Sequence, residues 1–224
     1  MHRHYAQFKD RMEAGQQLAL KLLKFAKHTD VLVLGLPRGG VPVAHEIAKV
    51  LYVPLDICLV RKLGVPQHKE LAMGAIAAGG VRVLNYDIIS CLGIPSKTIE
   101  HVASTELKEL QHRDRFYRGD HPQPKIHNQT VILIDDGLAT GSTMRAAVSV
   151  IKPLQPAYLA IAVPVSPSQT CQVLQAEVDE LICLLKPDNF YAIGVWYEDF
   201  TQVSDEEVKQ ILRSYLEHNQ APAF

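Results

Sequence analysis

The sequence is most constrained by residues 131–144, where an apolar run leads into two adjacent carboxylates and then a loop of small and hydroxyl-bearing residues. A continuous apolar run of this kind predicts a strand that is buried on both faces of a parallel sheet. Adjacent side chains of a strand point to opposite faces, so Asp135 and Asp136 cannot both lie within it without a large desolvation cost. We therefore expect the strand to end at this pair, at the carboxyl edge where open α/β sheets bind ligands.

The loop after the carboxylates has the composition of an anion site. Its glycines permit tight backbone geometry, and its main-chain amides lie next to the start of a helix. A phosphate cradle beside carboxylates that can accept hydrogen bonds from a diol predicts a ribose 5-phosphate ligand. Ser142 stands where a Walker A loop has lysine, which disfavours a nucleotide triphosphate cradle. An acidic turn that caps a core strand is the alternative. The residues predicted to bind the 5-phosphate are Gly137, Ala139, Thr140, Gly141, Ser142 and Thr143.

The stretch Asp-Asp-Gly-Leu-Ala-Thr-Gly-Ser-Thr after four apolar residues resembles the phosphoribosyl-pyrophosphate signature of the type I phosphoribosyltransferases. The resemblance implies a transferase that moves a 5-phosphoribosyl group from phosphoribosyl pyrophosphate to a nitrogen base. It implies Mg²⁺ as cofactor, held mainly by the substrate and not by direct protein ligands. In such an enzyme Asp135 and Asp136 would hold the ribose hydroxyls and stabilise positive charge on the sugar.

Composition agrees with an α/β protein. The chain has 224 residues, of which 47% are hydrophobic and 21% charged, and this suits one domain of ordinary globular type. A formal net charge of −1 argues against a nucleic-acid partner. We recognise no signal peptide and no apolar run of ~18 residues, so we expect a cytoplasmic protein without a membrane span. The four cysteines and ten histidines lack metal-ligand spacing.

Periodicity predicts a doubly wound, mostly parallel sheet flanked by helices. The resemblance to the family implies a small hood subdomain in addition. The core is expected at about 28–185. The hood is expected from an N-terminal helix at 7–27, an insertion at about 85–120 and a C-terminal segment at about 186–220. The expected strands are 31–34, 55–60, 131–134, 158–163 and 180–185, with a hairpin at 75–84. The longest helix is expected at 96–116, and Ser204 and Glu207 predict a capping box for the last helix.

Two further segments carry cationic or glycine-rich candidates. Arg38, Gly39 and Gly40 lie between a predicted strand and helix, and they resemble the pyrophosphate loop of the family. Arg61 and Lys62 follow the next predicted strand and could complement a diphosphate. The polar stretch 63–70 could be a mobile lid. An ordinary turn and solvated surface charge are the respective alternatives.

Residues 190–200 hold five of the fifteen aromatic residues of the chain. Because nitrogen bases stack on aromatic faces, Tyr191, Trp196 and Tyr197 are candidates for base binding, with Trp196 and Tyr197 expected in a partly wet site. Aromatic packing into the core is an equal alternative. Ala139 stands where hypoxanthine–guanine enzymes have an aspartate, which makes a plain 6-oxopurine substrate doubtful. The remaining pattern looks like an uncharacterised bacterial branch of the family.

Two other functions stay open at this point. One is a regulator that senses phosphoribosyl pyrophosphate without turnover, although the near-neutral charge and the lack of an added winged-helix module count against it. The other is a different ribose-phosphate enzyme, such as a phosphohydrolase with Asp136 as general base. The resemblance also implies a role in nucleotide salvage and a homodimer.

Overall fold

The computed structural model describes residues 6–66 and 68–219. The strands are β1 (Val31–Gly35), β2 (Leu55–Ile57), β3 (Val60–Val65), β4 (His68–Ala77), β5 (Arg82–Leu84), β6 (Thr130–Ile134), β7 (Tyr158–Val165) and β8 (Glu180–Leu185). The helices are α1 (Arg11–Lys21), α2 (Gly40–Leu51), α3 (Tyr86–Cys91), α4 (Ser96–Arg118), α5 (Ser142–Ile151), α6 (Ser168–Gln175) and α7 (Asp205–Asn219). In this part of the chain every helix is too short or too polar to span a bilayer.

The centre of the fold is a parallel sheet of five strands in the order β2-β1-β6-β7-β8. Successive side chains along a strand point to opposite faces of the sheet and so pack into two different cores. Val131 and Leu133 of β6 pack into the cluster that contains α5 and α6, whereas Ile132 and Ile134 pack into the cluster that contains α1 and α2. Helices therefore cover both faces of the sheet. The predicted doubly wound, mostly parallel architecture is confirmed.

A second, antiparallel sheet has the order β3-β4-β5 and differs in part from the sequence prediction. The expected strand at 55–60 ends at Ile57, and a new strand begins at Val60. β4 and β5 form the predicted hairpin, but β4 starts at His68 and not near Ala75. The register between β3 and β4 shifts on either side of Gly64. Because such a shift interrupts the alternation of apolar and polar residues, β3 is not predicted from hydrophobic periodicity.

The antiparallel sheet packs with α4 and α7 around a separate apolar cluster that includes Leu63, Met73, Ile99, Leu110 and Leu212. By contrast, α1 packs against α2 in a core of the parallel sheet. The buried residues of α1 therefore pack against the parallel sheet and not against the antiparallel sheet. The grouping of the N-terminal helix with the insertion and the C-terminal segment as one hood stays a prediction.

Two local details explain how the flanking helices are held. The capping box of α7 is confirmed: Glu207 N donates to Ser204 Oγ at 3.1 Å, and Ser204 N donates to the Glu207 carboxylate at 2.8 Å. Arg118, the last residue of α4, is buried and ion-paired with Asp56. It also donates to the carbonyl of Ile57 at 2.8 Å. This contact fixes the end of α4 to strand β2.

Candidate active site

The candidate site forms where neighbouring strands β1 and β6 end. β6 ends at Ile134, and Asp135 and Asp136 follow at the carboxyl edge of the sheet, as predicted. β1 pairs with β6 in parallel and ends at Gly35, so the loop before α2 leaves the sheet beside the two carboxylates. The two glycine-containing loops that were separate in the sequence are therefore adjacent in space.

The predicted phosphate loop encloses a small cavity of about 180 Å³. Gly141, with φ +70°, occupies the position before α5 and has no side chain to cap that helix. The first amide of the helix, that of Ser142, donates to Thr140 Oγ1 at 3.4 Å. Thr170 of α6 donates to the carbonyl of Ala139 at 2.8 Å and braces the loop from behind. The cavity is lined by Asp135, Gly137, Leu138, Ala139, Thr140, Gly141, Ser142, Thr143, Met144 and Ile193. Its size and lining suit a phosphate group better than a whole nucleotide.

The two carboxylates occupy unequal environments. Asp135 lines the loop cavity and is partly exposed, while Asp136 is 8% exposed. Burial and the charge of Asp136 raise the pKa of Asp135 well above its ordinary range. Burial also raises the pKa of Asp136, but the guanidinium of Arg11 opposes that rise. Carboxylates whose surroundings differ in this way are suited to different tasks.

Arg11 is a site residue that the sequence reasoning missed. Its Nε donates to Asp136 Oδ2 at 2.8 Å, across a sequence separation of 125 residues. Its Nη1 donates to the carbonyl of Thr201 at 2.8 Å, and its Cζ lies 3.9 Å from the centroid of the Phe200 ring. Arg11 reads in the sequence as one more cation at the start of an amphipathic helix, and no local pattern signals its role.

The loop Pro37-Arg38-Gly39-Gly40 packs directly against the carboxylate pair. A Cβ on Gly39 would lie 1.9 Å from Asp136 Oδ2, and a Cβ on Gly40 would lie 2.6 Å from the carbonyl oxygen of Ile134. Both positions therefore need glycine for close approach and not for an unusual φ. The peptide bond between Pro37 and Arg38 is cis. The Arg38 guanidinium lies 3.7 Å from Asp205 at the start of α7.

Arg61 and Lys62 lie on β3 and face in opposite directions, as neighbouring strand residues do. Arg61 forms an ion pair with Glu106 of α4. Lys62 lines a cavity of about 710 Å³ that also contacts Thr140 and Ser142 of the phosphate loop. The structure thus brings Lys62 toward that loop and holds Arg61 against α4. The sequence predicts that both cations face one diphosphate, but in the structure they do not share one surface.

The segment expected to be a lid, residues 63–70, includes the last residues of β3 and the first residues of β4. Gln67 lies outside the described residues. On either side of it the backbone is in paired strands. The lid therefore stays a prediction, and any movement of it would involve a hairpin and not an irregular loop.

The aromatic segment is packed differently from the partly wet wall that was expected. Trp196 is 8% exposed and Tyr197 5%, and both belong to a buried cluster with Phe8. The Tyr197 hydroxyl donates to the main-chain carbonyl of Asp136 at 2.6 Å. Tyr191 alone of the three candidates is exposed, at 77%. The expectation of a wet site at Trp196 and Tyr197 is wrong, because their rings fill the space between the N-terminal segment and the parallel sheet.

Comparisons with known proteins agree with this geometry. Residues 4–200 match the family described as the phosphoribosyl transferase domain. The protein Rv0571c of Mycobacterium tuberculosis (strain ATCC 25618 / H37Rv) is 43% identical to this chain over 219 residues. Its name gives phosphoribosyl transferase as a provisional activity. That alignment covers 97% of this chain and 49% of the relative, so the chain spans about half the length of the curated relatives it matches.

Solved structures show the same fold. The crystal structure of TT1426 from Thermus thermophilus is 38% identical and superimposes with a TM-score of 0.85, covering 93% of this chain and 98% of that one. The AQ2163 protein from Aquifex aeolicus, at 11% identity and a TM-score of 0.50, covers 82% of this chain and 76% of its own. The second likeness concerns the fold alone.

Proposed function

We propose a function from one premise: the chain belongs to the phosphoribosyltransferase family. It transfers the 5-phosphoribosyl group of phosphoribosyl pyrophosphate to a nitrogen base and releases pyrophosphate. The observation that carries this proposal is the small cavity of residues 137–144, which has Asp135 on its wall. The loop that would hold the phosphate and the carboxylate that would accept hydrogen bonds from the ribose diol thus lie at one strand end, which supports a ribose 5-phosphate ligand.

The transfer breaks the bond between C1 of the ribose and the pyrophosphate oxygen, whose electron pair leaves with pyrophosphate. A nitrogen lone pair of the base forms the new bond to C1, and the base loses a proton if it carried one on that nitrogen. Positive charge develops on the sugar as the leaving group departs, as in glycoside cleavage. Asp135 is the carboxylate on the cavity wall, so it would accept hydrogen bonds from the ribose hydroxyls and stabilise the positive charge on the sugar.

The other groups would bind the two ends of the donor. Main-chain amides and hydroxyls of residues 137–143 would hold the 5-phosphate. Arg38, Gly39 and Gly40 would take the pyrophosphate, since their loop lies against the carboxylates. Lys62 already shares a cavity with Thr140 and Ser142, whereas Arg61 would have to leave Glu106 before it could contact a ligand.

The residues present suit Mg²⁺ that is held mainly by substrate. In the described ranges no group of three or more histidine, cysteine, aspartate or glutamate side chains is arranged to hold a metal. Mg²⁺ usually binds one or two carboxylates together with substrate phosphates and water. Asp135 is the protein carboxylate that would share it. The ion, when bound, would neutralise charge on the departing pyrophosphate.

The acceptor is proposed only as a nitrogen base. Ala139 is exposed at the rim of the phosphate loop and offers no carboxylate to a 6-oxopurine ring. Tyr191 remains as the exposed aromatic candidate, since Trp196 and Tyr197 are buried. By resemblance to the family we also propose a homodimer, which light scattering would test.

The test is a panel of purine and pyrimidine bases mixed with phosphoribosyl pyrophosphate, with and without Mg²⁺. We expect pyrophosphate release with at least one base, and loss of release when the metal is chelated. Calorimetry on the same samples measures donor binding. Binding without release for any base would indicate a sensor. Release of phosphate without a base would indicate a phosphohydrolase. Absence of donor binding by the folded protein would contradict both the transferase and the sensor.

A further inference from the structure

A second cavity opens beside the C-terminal end of α4, apart from the phosphate loop. It has a volume of about 570 Å³ and is lined by the last turn of α4, by residues 119–121 and by one face of α7. In the part of the chain that the structure describes, its lining shares no residue with the phosphate-loop cavity. Its volume is well above the 180 Å³ of that loop cavity and lies within the range of small-molecule sites.

The lining of this cavity is basic, although the whole chain has a formal net charge of −1. Arg115 contributes a cation from α4, and Lys209 and Arg213 contribute two more from positions four residues apart on α7. Of the described residues that line the cavity, Asp120 is the only carboxylate. Cations gathered in a concave surface raise the local concentration of anions. The cavity is therefore suited to a negatively charged ligand.

Ordinary structural roles account for only part of this charge. Arg118 also lines the cavity, but its guanidinium is paired with Asp56 and Asp114. Arg115 lies in the last turn of α4, where the helix dipole favours a cation. Lys209 lies close to the start of α7, where the dipole gives a cation no such stabilisation. Its position is thus not explained by the helix that carries it.

The side chain of Lys209 is directed toward α4 and not away from the protein. Its Nζ lies 4.7 Å from the centroid of the Phe116 ring, which also lines the cavity. Among the described residues, the ion pairs at this end of α4 belong to Arg113 and Arg118, and none involves Arg115 or Lys209. Two cations from different helices therefore face one cavity without a carboxylate partner.

We propose that this cavity is a second binding site, which takes a small molecule with two or more phosphate groups. A guanidinium can donate two parallel hydrogen bonds to phosphate oxygens, and an ammonium adds a compact positive charge. Cations from two helices match a ligand whose charge is spread over several groups better than a single phosphate. Inorganic polyphosphate and nucleoside triphosphates share this chemistry, and the volume has room for either. The site does not depend on the transfer reaction.

The experiment is a calorimetric titration of the full chain with inorganic triphosphate, without Mg²⁺ and at about 0.15 M salt, where contacts between distant surface charges are screened. We compare wild type with Arg115→Ala and Lys209→Ala. The control is Lys108→Ala, which removes an exposed cation of α4 that lies outside the cavity. Each cavity variant should weaken binding about tenfold, as expected for one lost charge-assisted hydrogen bond. The control should bind as wild type does.

The donor site can also bind a triphosphate, so only a loss caused by Arg115→Ala and Lys209→Ala, which lie outside that site, supports the second site. Wild-type affinity in both variants, with their fold verified by circular dichroism, would overturn the proposal. Parallel titrations use ATP, citrate and a single-stranded oligonucleotide. Binding of ATP that equals or exceeds that of triphosphate supports the site and identifies its source. Binding of citrate or the oligonucleotide more tightly than either, through the same two residues, would overturn the ligand class.

Discussion

The Tyr197 hydroxyl donates a 2.6 Å hydrogen bond to the main-chain carbonyl of Asp136, so the buried aromatic segment directly supports the backbone of the carboxylate pair. Burial and the nearby carboxylates raise the pKa of Tyr197, which keeps the hydroxyl protonated and able to donate. A residue predicted to contact a base therefore has a structural role at the same site. Its contribution is open to a simple measurement.

Replacing Tyr197 with phenylalanine should destabilise the protein by about 1–3 kcal/mol, because a buried carbonyl loses its side-chain donor. Urea denaturation of the variant and wild type measures the difference. Tyr191→Phe is the control, since Tyr191 is 77% exposed and should not change stability. Equal stability of Tyr197→Phe and wild type would mean that water or another group replaces the bond.

Replacing Asp135 with asparagine should abolish transfer but stabilise the fold. The folded-state pKa of Asp135 is raised well above its ordinary value of 3.8, so the folded protein binds this proton more tightly than the unfolded chain does. Stability due to Asp135 is therefore lost as pH rises from that ordinary value through the folded-state pKa. We expect the melting temperature of the variant to exceed that of wild type increasingly over this window. Turnover with an accepted base is measured in parallel.

Glu100→Gln is the opposite case and controls for a general effect of removing a carboxylate. Hydrogen bonding from Arg82 lowers the pKa of Glu100, so its contribution is present above its unfolded value and lost as pH falls through the folded one. Glu100 is exposed, and its substitution should cause at most a slight loss of stability at neutral pH. An increase in stability at neutral pH for both variants would contradict the account given for Asp135.

Replacing Gly39 with alanine should disrupt donor binding. The added Cβ would lie 1.9 Å from the Asp136 carboxylate, so the loop or the carboxylate must move. The φ of −61° is ordinary for alanine, and backbone strain does not enter. Gly79→Ala is the matched control, because nothing lies within 4 Å of its Cβ. Calorimetric titration with phosphoribosyl pyrophosphate should show weakened binding for Gly39→Ala only; equal affinities would exclude tight packing at Gly39 as a requirement.

Replacing Arg118 with methionine should destabilise the protein by about 3–5 kcal/mol, since it leaves Asp56 buried without its cation. Burial raises the pKa of Asp56 and Arg118 opposes that rise, so the loss should be greater at neutral than at acid pH. The double variant Arg118→Met/Asp56→Leu should recover much of the stability. Arg82→Met, which removes a surface ion pair, is the control. A small loss in Arg118→Met would show that water reaches Asp56.

Much of the parallel core could be predicted from the sequence, because each buried strand is a short apolar run that ends in a recognisable loop. For this reason the sequence predicts that β6 ends just before Asp135, and the structure confirms this boundary. The capping box at Ser204 and Glu207 is equally local. These features depend on neighbours in the chain, and their physical causes are visible in a few consecutive residues.

The features that could not be predicted depend on contacts between distant segments. Arg11 meets Asp136 only because α1 begins beside the aromatic segment. An aromatic segment such as the one with Trp196 and Tyr197 can line a site or fill a core, and its amino-acid composition is the same in both cases. The separation of Arg61 and Lys62 follows from a strand that the register shift near Gly64 obscured.

The contact between Gly39 and the Asp136 carboxylate also constrains how the sequence can change over time. A side chain at position 39 has room only if position 136 has first become smaller, and a smaller residue at 136 leaves Arg11 without its carboxylate. A larger residue at position 39 alone produces a clash, and a neutral residue at position 11 or 136 alone leaves the partner's charge uncompensated. These positions should therefore vary together or not at all, and a descendant that departs from this trio would have to cross an intermediate of reduced fitness.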